Sequence, residues 1–207
     1  VGSGNGAASP TRLLFAGGTL HPSSTVSNII QFVTIASTGN ATDFGDLTDN
    51  KTRFGVCSSG TRGLYGGGGP AETDKTNTIV FVTLASTGNT TDFGDRTAVS
   101  NNVAATSNAS RGVFIGGQEP SGPAAAGNFI DFGDLTQVRH SAGGTSNSIR
   151  AICIGGATGS AGSNTNVIDF VTIASTGNAS DFGDMTYASG GSRGCFANSD
   201  SHGGIGL

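Results

Sequence analysis

The sequence states one fourteen-residue phrase three times. VTIASTGNATDFGD occupies residues 33–46, VTLASTGNTTDFGD 82–95 and VTIASTGNASDFGD 171–184. A shortened copy, NFIDFGDLT, spans 128–136. Such self-similarity means a chain of like supersecondary units that bury their faces only against one another. The DFGD motif starts at Asp43, Asp92, Asp131 and Asp181, giving spacings of 49, 39 and 50. Sixteen residues after its second aspartate comes an arginine, at Arg62, Arg111 and Arg150, which opens an apolar run ending in two glycines. RLLFAGG at 12–18 is a further copy of that run, and ANSDSHGGIGL at 197–207 is a degraded one.

One full unit reads as four short segments. Segment a is small and polar (AATSNAS, 104–110), and b is the apolar run. Segment c is NVIDFVTIAS (166–175), and d is ASDFGDMT (179–186). Apolar side chains on both faces of c suit a strand covered on two sides. STGN, between c and d, is turn chemistry. No stretch keeps the i, i+3, i+4, i+7 apolar pattern over ten residues, so helix is not expected. Gly makes up 36 of 207 residues, Trp is absent, and Leu, Ile, Val and Phe together are about a fifth of the chain. That is close to the floor for globular folding. Disorder normally pairs such poverty with high net charge, and here the net charge is −4. The expectation is a thin core assembled from many regular units.

Four-stranded units of this length with Gly-rich punctuation point to propeller blades. The order apolar-Gly-Gly, then Asn-x-Ile-x-aromatic, then aromatic-Gly-x-Leu/Met resembles the kelch repeat, with Phe44, Phe93 and Phe182 where kelch usually has Trp. The fourteen-residue phrase is also similar to the near-identical tandem repeats of structural proteins in marine bacteriophages, especially cyanophages. The resulting fold expectation is all-β: one β-propeller domain over 1–207, with repeat units near 12–61, 62–110, 111–149 and 150–207. Four blades close most simply, with residues about 192–200 completing the blade begun by RLLFAGG. In this reading Phe44 and its equivalents fill the gap between blades, while Gly45 permits close backbone approach. The third unit has lost twelve residues between two DF dipeptides, as NFIDFGDLT against NVIDF…GDMT shows. An exposed edge is expected there, open to a partner strand. The chain begins at Val1 without Met, which reads as a processed chain or a piece of a longer one.

Comparing the repeats with one another separates constant from variable positions. The a–b turns (SSGTR, SNASR, SNSIR) and the c–d turns scarcely change. The b–c loops (TLHPSSTVSN, GGPAETDKTN, QEPSGPAAAGN, ATGSAGSNTN) and the d–a loops (TDNKTR, TAVSNN, TQVRHS, TYASGGS) do change. In a four-stranded blade those two sets share one face of the disc. Binding residues concentrate on loops held by a rigid scaffold. The candidate ligand-binding residues are therefore His21, Lys51, Arg53, Glu72, Asp74, Lys75, Glu119, Arg139, His140 and Tyr187. Neutral drift of solvent-exposed loops is the competing account.

Sharper chemistry is weak. DFG recurs in strands without the catalytic loop of a kinase. The glycine runs lack the GK[ST] ending of a phosphate loop. Asn40, Asp43 and Asp46 offer oxygens within seven residues, but calcium wants six to eight ligands and strand alternation turns neighbours apart. Cys57, Cys153 and Cys195 show no CxxC spacing, so neither a disulfide framework nor a zinc cluster is expected. His21 and His140 share the variable face without a nucleophile or paired carboxylates to serve. NxS/T triplets such as those at 40, 89, 108 and 178 are by-products of a Ser/Thr/Asn-rich repeat. Ten Lys and Arg scattered among fourteen acids make nucleic acid a poor partner, and no run of about 18 apolar residues could cross a membrane as a helix. No metal, cofactor or enzymatic activity is expected. The phage resemblance implies an extracellular or virion-surface setting, such as a tail fibre or other appendage. There the variable loops would bind a host-surface glycan or protein, helped by multivalency. The alternative is a purely structural, self-assembling scaffold whose partners are virion or self subunits.

Overall fold

The computed structural model describes residues 6–71, 73–118, 131–158 and 163–188. All regular structure among them is β. The first sheet orders β1 (Gly6–Ala8), β2 (Arg12–Ala16), β3 (Ile29–Thr34) and β4 (Thr42–Asp46) side by side, all antiparallel. The second repeats that order with β5 (Gly55–Ser58), β6 (Arg62–Gly66), β7 (Thr78–Thr83) and β8 (Thr91–Asp95). Among the described residues the third holds β9 (Ala104–Ser107) and β10 (Gly112–Ile115). The fourth orders β11 (Gly143–Ser146), β12 (Arg150–Ile154), β15 (Val167–Thr172) and β16 (Ser180–Asp184), with a small hairpin of β13 (Ala157–Thr158) and β14 (Ser163–Asn164) between its middle strands. Segments a to d thus fall on successive strands wherever the repeat is complete.

DFGD is a bulge motif. Ile30 pairs with Gly45 and Gln31 with Asp43, so Phe44 is an extra residue on β4. The pairing shifts at the same place in the second and fourth sheets. Such a bulge bends the strand and re-aims a side chain. Here Phe44 turns edge-on to Phe32, with ring centroids 5.9 Å apart, and Phe81–Phe93 and Phe170–Phe182 repeat the pair at 5.9 and 6.0 Å. Gly45, Gly94 and Gly183 take φ of 146°, 135° and 133°, which side chains resist. The first aspartate closes the bulge: the Asp181 carboxylate accepts the Gly183 amide at 3.0 Å, and Asp92 does the same for Gly94 at 3.2 Å. The repeated arginine lies over the c-strand ring, Arg12 over Phe32, Arg62 over Phe81 and Arg150 over Phe170, at 4.8, 4.9 and 4.6 Å.

The sheets pack in chain order. Their inner strands β1, β5, β9 and β11 lie next to one another, tied by a serine ladder. The Ser58 hydroxyl accepts the Ala8 amide, Ser107 donates to the Ser58 carbonyl, and Ser146 donates to the Ser107 carbonyl. One apolar cluster joins the first two sheets through Leu14, Ile30, Phe44, Tyr65, Val82 and Leu84. Another joins the third and fourth through Val113, Ile115, Ala151, Cys153 and Ile173. Between the second and third sheets, Phe114 lies against Gly55 and Gly66, where added Cβ atoms would strike its ring.

A second set of bonds links the outer strands. The Gly88 amide donates to the Phe44 carbonyl at 2.7 Å and the Thr90 amide to the Asp46 carbonyl at 2.8 Å, while the Asn89 side-chain oxygen accepts the Asp46 amide at 3.0 Å. Gly177, Ala179 and Asn178 repeat all three bonds on Phe132 and Asp134. The STGN turn of one sheet therefore docks on the DFGD strand of the sheet before it. The approach is so close that a Cβ on Gly45 or Gly133 would collide with the Gly88 or Gly177 carbonyl.

Two expectations are refined here. The first sheet is complete without the C-terminal residues, because β1 already holds the inner position that 192–200 were expected to fill; those residues lie outside the described ones. The second concerns the clipped third repeat, whose expected exposed edge falls on β10 among the described residues. Its Phe132–Asp134 segment is docked by the 177–179 turn, and only β10 lacks a described outer neighbour.

Candidate functional site

The variable loops form one laced surface. Each d–a loop bridges the b–c loop of the next sheet, Thr52 with Gly69, Asn101 with Gln118 and His140 with Ala157. Arg53, Asn102 and Ser141 stand at equivalent positions, and all three are left-handed with φ of 61°, 53° and 55°. That conformation costs a side chain about 1–2 kcal/mol. The offset is a further ladder, in which the Asn102 amide donates to the Arg53 carbonyl at 2.8 Å and the Ser141 amide to the Asn102 carbonyl at 3.0 Å.

Lys51 and Arg139 do not belong to that surface. Both were expected to face a ligand, and both are among the largest fully buried side chains of the chain. Each stands five residues after the second aspartate of a DFGD, where the chain turns inward between two sheets. The Lys51 ammonium donates to the Thr78 hydroxyl at 2.6 Å. Arg139 donates to the Val167 carbonyl at 2.7 Å, where Val167 is the equivalent of Thr78, and it forms an ion pair with the buried Asp169. Asp169 also accepts the Thr136 hydroxyl at 2.6 Å. Ser100 occupies the same position between the second and third sheets. There the cation comes from Arg96, which bonds Ser100 and reaches the Gly116 carbonyl at 3.3 Å. Every junction between described sheets therefore carries a cation at this level, Lys51, Arg96 or Arg139. A buried charge is tolerated only when it is paired or hydrogen-bonded, so these side chains hold sheets together.

Of the other candidates, His21, Asp74 and Tyr187 are exposed on three different loops, Tyr187 at 71%. Arg53, Lys75 and His140 are half-buried, and a ring nitrogen of His140 lies 3.0 Å from the Ser141 hydroxyl. Glu72 and Glu119 lie outside the described residues. Sequence reasoning missed Arg96 and Asp169. The signal for Asp169 was its place in strand c, where the sister repeats have Gln31 and Val80.

An open cleft lies between β10 and the 132–135 segment, floored by Ala151, Cys153 and Val171 of the fourth sheet. It marks the place that strand c takes in the complete repeats. Its lining is mainly apolar. Burial pushes the Cys57 thiol up to about 12, the reverse of an activated nucleophile. Among the described residues no three His, Cys, Asp or Glu side chains converge as metal ligands would. Among the described residues the geometry offers sheet-to-sheet joints and a laced loop surface.

Compared with known proteins, the chain matches no protein-family model, and no curated protein matches it either.

Proposed function

We propose that the chain is a non-enzymatic structural module, an arc of propeller-type blades related to the kelch-like repeats that its sequence resembles. In the virion-surface setting implied by the phage resemblance, it would serve as a rigid element of an appendage. The observation that carries this reading is where the repeated polar and aromatic residues go. The second and fourth sheets' STGN turns, the DFGD segments at 43–46 and 131–134, Arg12, Lys51, Arg111 and Arg139 bond across or within the joints between sheets. Lys51 and Arg139, the two most promising cations for a ligand, are consumed there.

Recognition through the loops is the second reading, favoured by Tyr187, whose ring is exposed on a loop of the laced face. An exposed tyrosine is a platform for a sugar ring. A glycan array with the purified chain separates the two. The structural reading expects no glycan to be retained. Retention that disappears in Tyr187→Ala would establish a host-surface glycan site instead.

A further inference from the structure

The two ends of the stack carry the two halves of the joint that links the first sheet to the second and the third to the fourth. On the fourth sheet, β16 presents the same DFGD edge that β4 and 131–134 present to a docked turn. Here, however, Phe182 is 52% exposed, against 2% for Phe44 beneath its docked turn, and an added Cβ on Gly183 would meet nothing within 4 Å among the described residues. Phe93 of β8, on which no described turn docks, is likewise 43% exposed. The first sheet presents the other half. At the base of its turn, ASTGN at 36–40, Ile35 is 56% exposed, whereas the equivalent Leu84 and Ile173 are 1% and 0% exposed beneath a neighbouring sheet. Phe15 is exposed on the same end, while its equivalent Tyr65 is buried against the preceding sheet. Uncovered apolar side chains gathered on complementary faces mark an interaction surface.

We propose that copies of this chain associate head to tail, the 36–40 turn of one copy docking on β16 of another. The occupant is identified by sequence. The turn that fits a DFGD strand inside the chain is STGN, and STGN is what the free end offers. By equivalence with Gly88, Thr90 and Asn89, the Gly39 and Ala41 amides would donate to the Phe182 and Asp184 carbonyls. The Asn40 side chain would accept the Asp184 amide. The Arg12 guanidinium donates to the Leu84 carbonyl at 3.0 Å and Arg111 to the Ile173 carbonyl at 2.8 Å, so Arg150 would reach the Ile35 carbonyl of the second copy. The contact joins unlike surfaces, so it closes into a ring if the rotation per copy permits and otherwise grows as a filament. The inference deepens the structural reading above and rests on it.

Sedimentation of the wild type over a wide concentration range, beside Ile35→Asp and Phe182→Asp, tests it. Both side chains are exposed within their own chain, so both variants should keep the wild-type circular dichroism. The expected result is a concentration-dependent oligomer for the wild type and single chains for each variant alone. Mixing the two variants should restore one joint, from the intact tail of Ile35→Asp to the intact head of Phe182→Asp, and give a 1:1 dimer. If one variant fails to fold, the wild type and the other variant still decide. A wild type that stays a single chain, or an oligomer that survives either substitution, overturns the inference. A single-chain wild type would leave the structural reading standing. Glycan retention on the array would overturn that reading without touching the sedimentation result.

Discussion

Arg139 and Asp169 form an ion pair with both side chains fully buried between the third and fourth sheets, thirty residues apart in the chain. Leaving one buried charge unpaired costs about 3–5 kcal/mol, whereas replacing both members with apolar groups often costs little. Asp169→Val alone should therefore destabilise the chain by about 3–5 kcal/mol in urea unfolding. The double variant Arg139→Met/Asp169→Val should recover at least half of that loss, because Val80 already serves the equivalent position in the second sheet. Equal losses in the single and double variants would show that the pair is not what holds this joint.

Lys51 gives a pH signature. Burial lowers its pKa from the ordinary 10.5, and the nearby carboxylates of Asp49, Asp92 and Asp95 only partly oppose this. The folded chain releases that proton more readily than the unfolded one, so the cost of the buried charge is present at neutral pH and fades as pH rises toward 10.5. The stability of Lys51→Met minus that of the wild type should then fall as pH is raised from 7 toward 10.5. Taking the difference cancels Cys57 and Tyr65. Both have raised pKa values, so they make any chain less stable as pH climbs past 9.0 and 10.0 respectively.

The Tyr65 hydroxyl is buried and has no hydrogen-bond partner among the described residues. A buried polar group left unpaired costs about 1–3 kcal/mol. Tyr65→Phe keeps the edge-on packing against Phe54, at 6.0 Å between centroids, and should raise the unfolding midpoint. A loss of stability would mean that the hydroxyl has a partner in solution.

Gly45 and Gly183 share the bulge conformation but not the neighbour. Alanine at either position strains the backbone, and only at Gly45 would the new Cβ meet a docked turn. Gly45→Ala should therefore be the more damaging by about 1–3 kcal/mol, the usual cost of overpacking. Equal damage at both would remove the collision from the account.

The all-β, antiparallel sheets were legible in the sequence because the repeat announces them. The period located segments a to d on strands, and β-branched runs bounded by glycine fixed their edges. The purpose of DFGD was only partly legible. That Gly45 needs close approach could be read, but the turn that approaches comes from the next repeat, and no local pattern names it. The candidate site fared worse for a physical reason. Lys51 and Arg139 sit in loops that vary, and in a sequence alone variation looks like exposure. Yet a loop backbone on the surface can send a long side chain inward, and the cation needed at each joint arrives from Lys51, Arg96 or Arg139 by different routes. Variation there reflects alternative solutions to one packing problem.

The central claim, that the repeated turn is a joint and that one copy of it is left free, is tested most directly by amide hydrogen exchange in Phe182→Asp. The three turns have the same local sequence, so differences in protection report docking alone. The account predicts slow exchange at Gly88, Thr90, Gly177 and Ala179, and fast exchange at Gly39 and Ala41. Equal exchange rates in all three turns would contradict it.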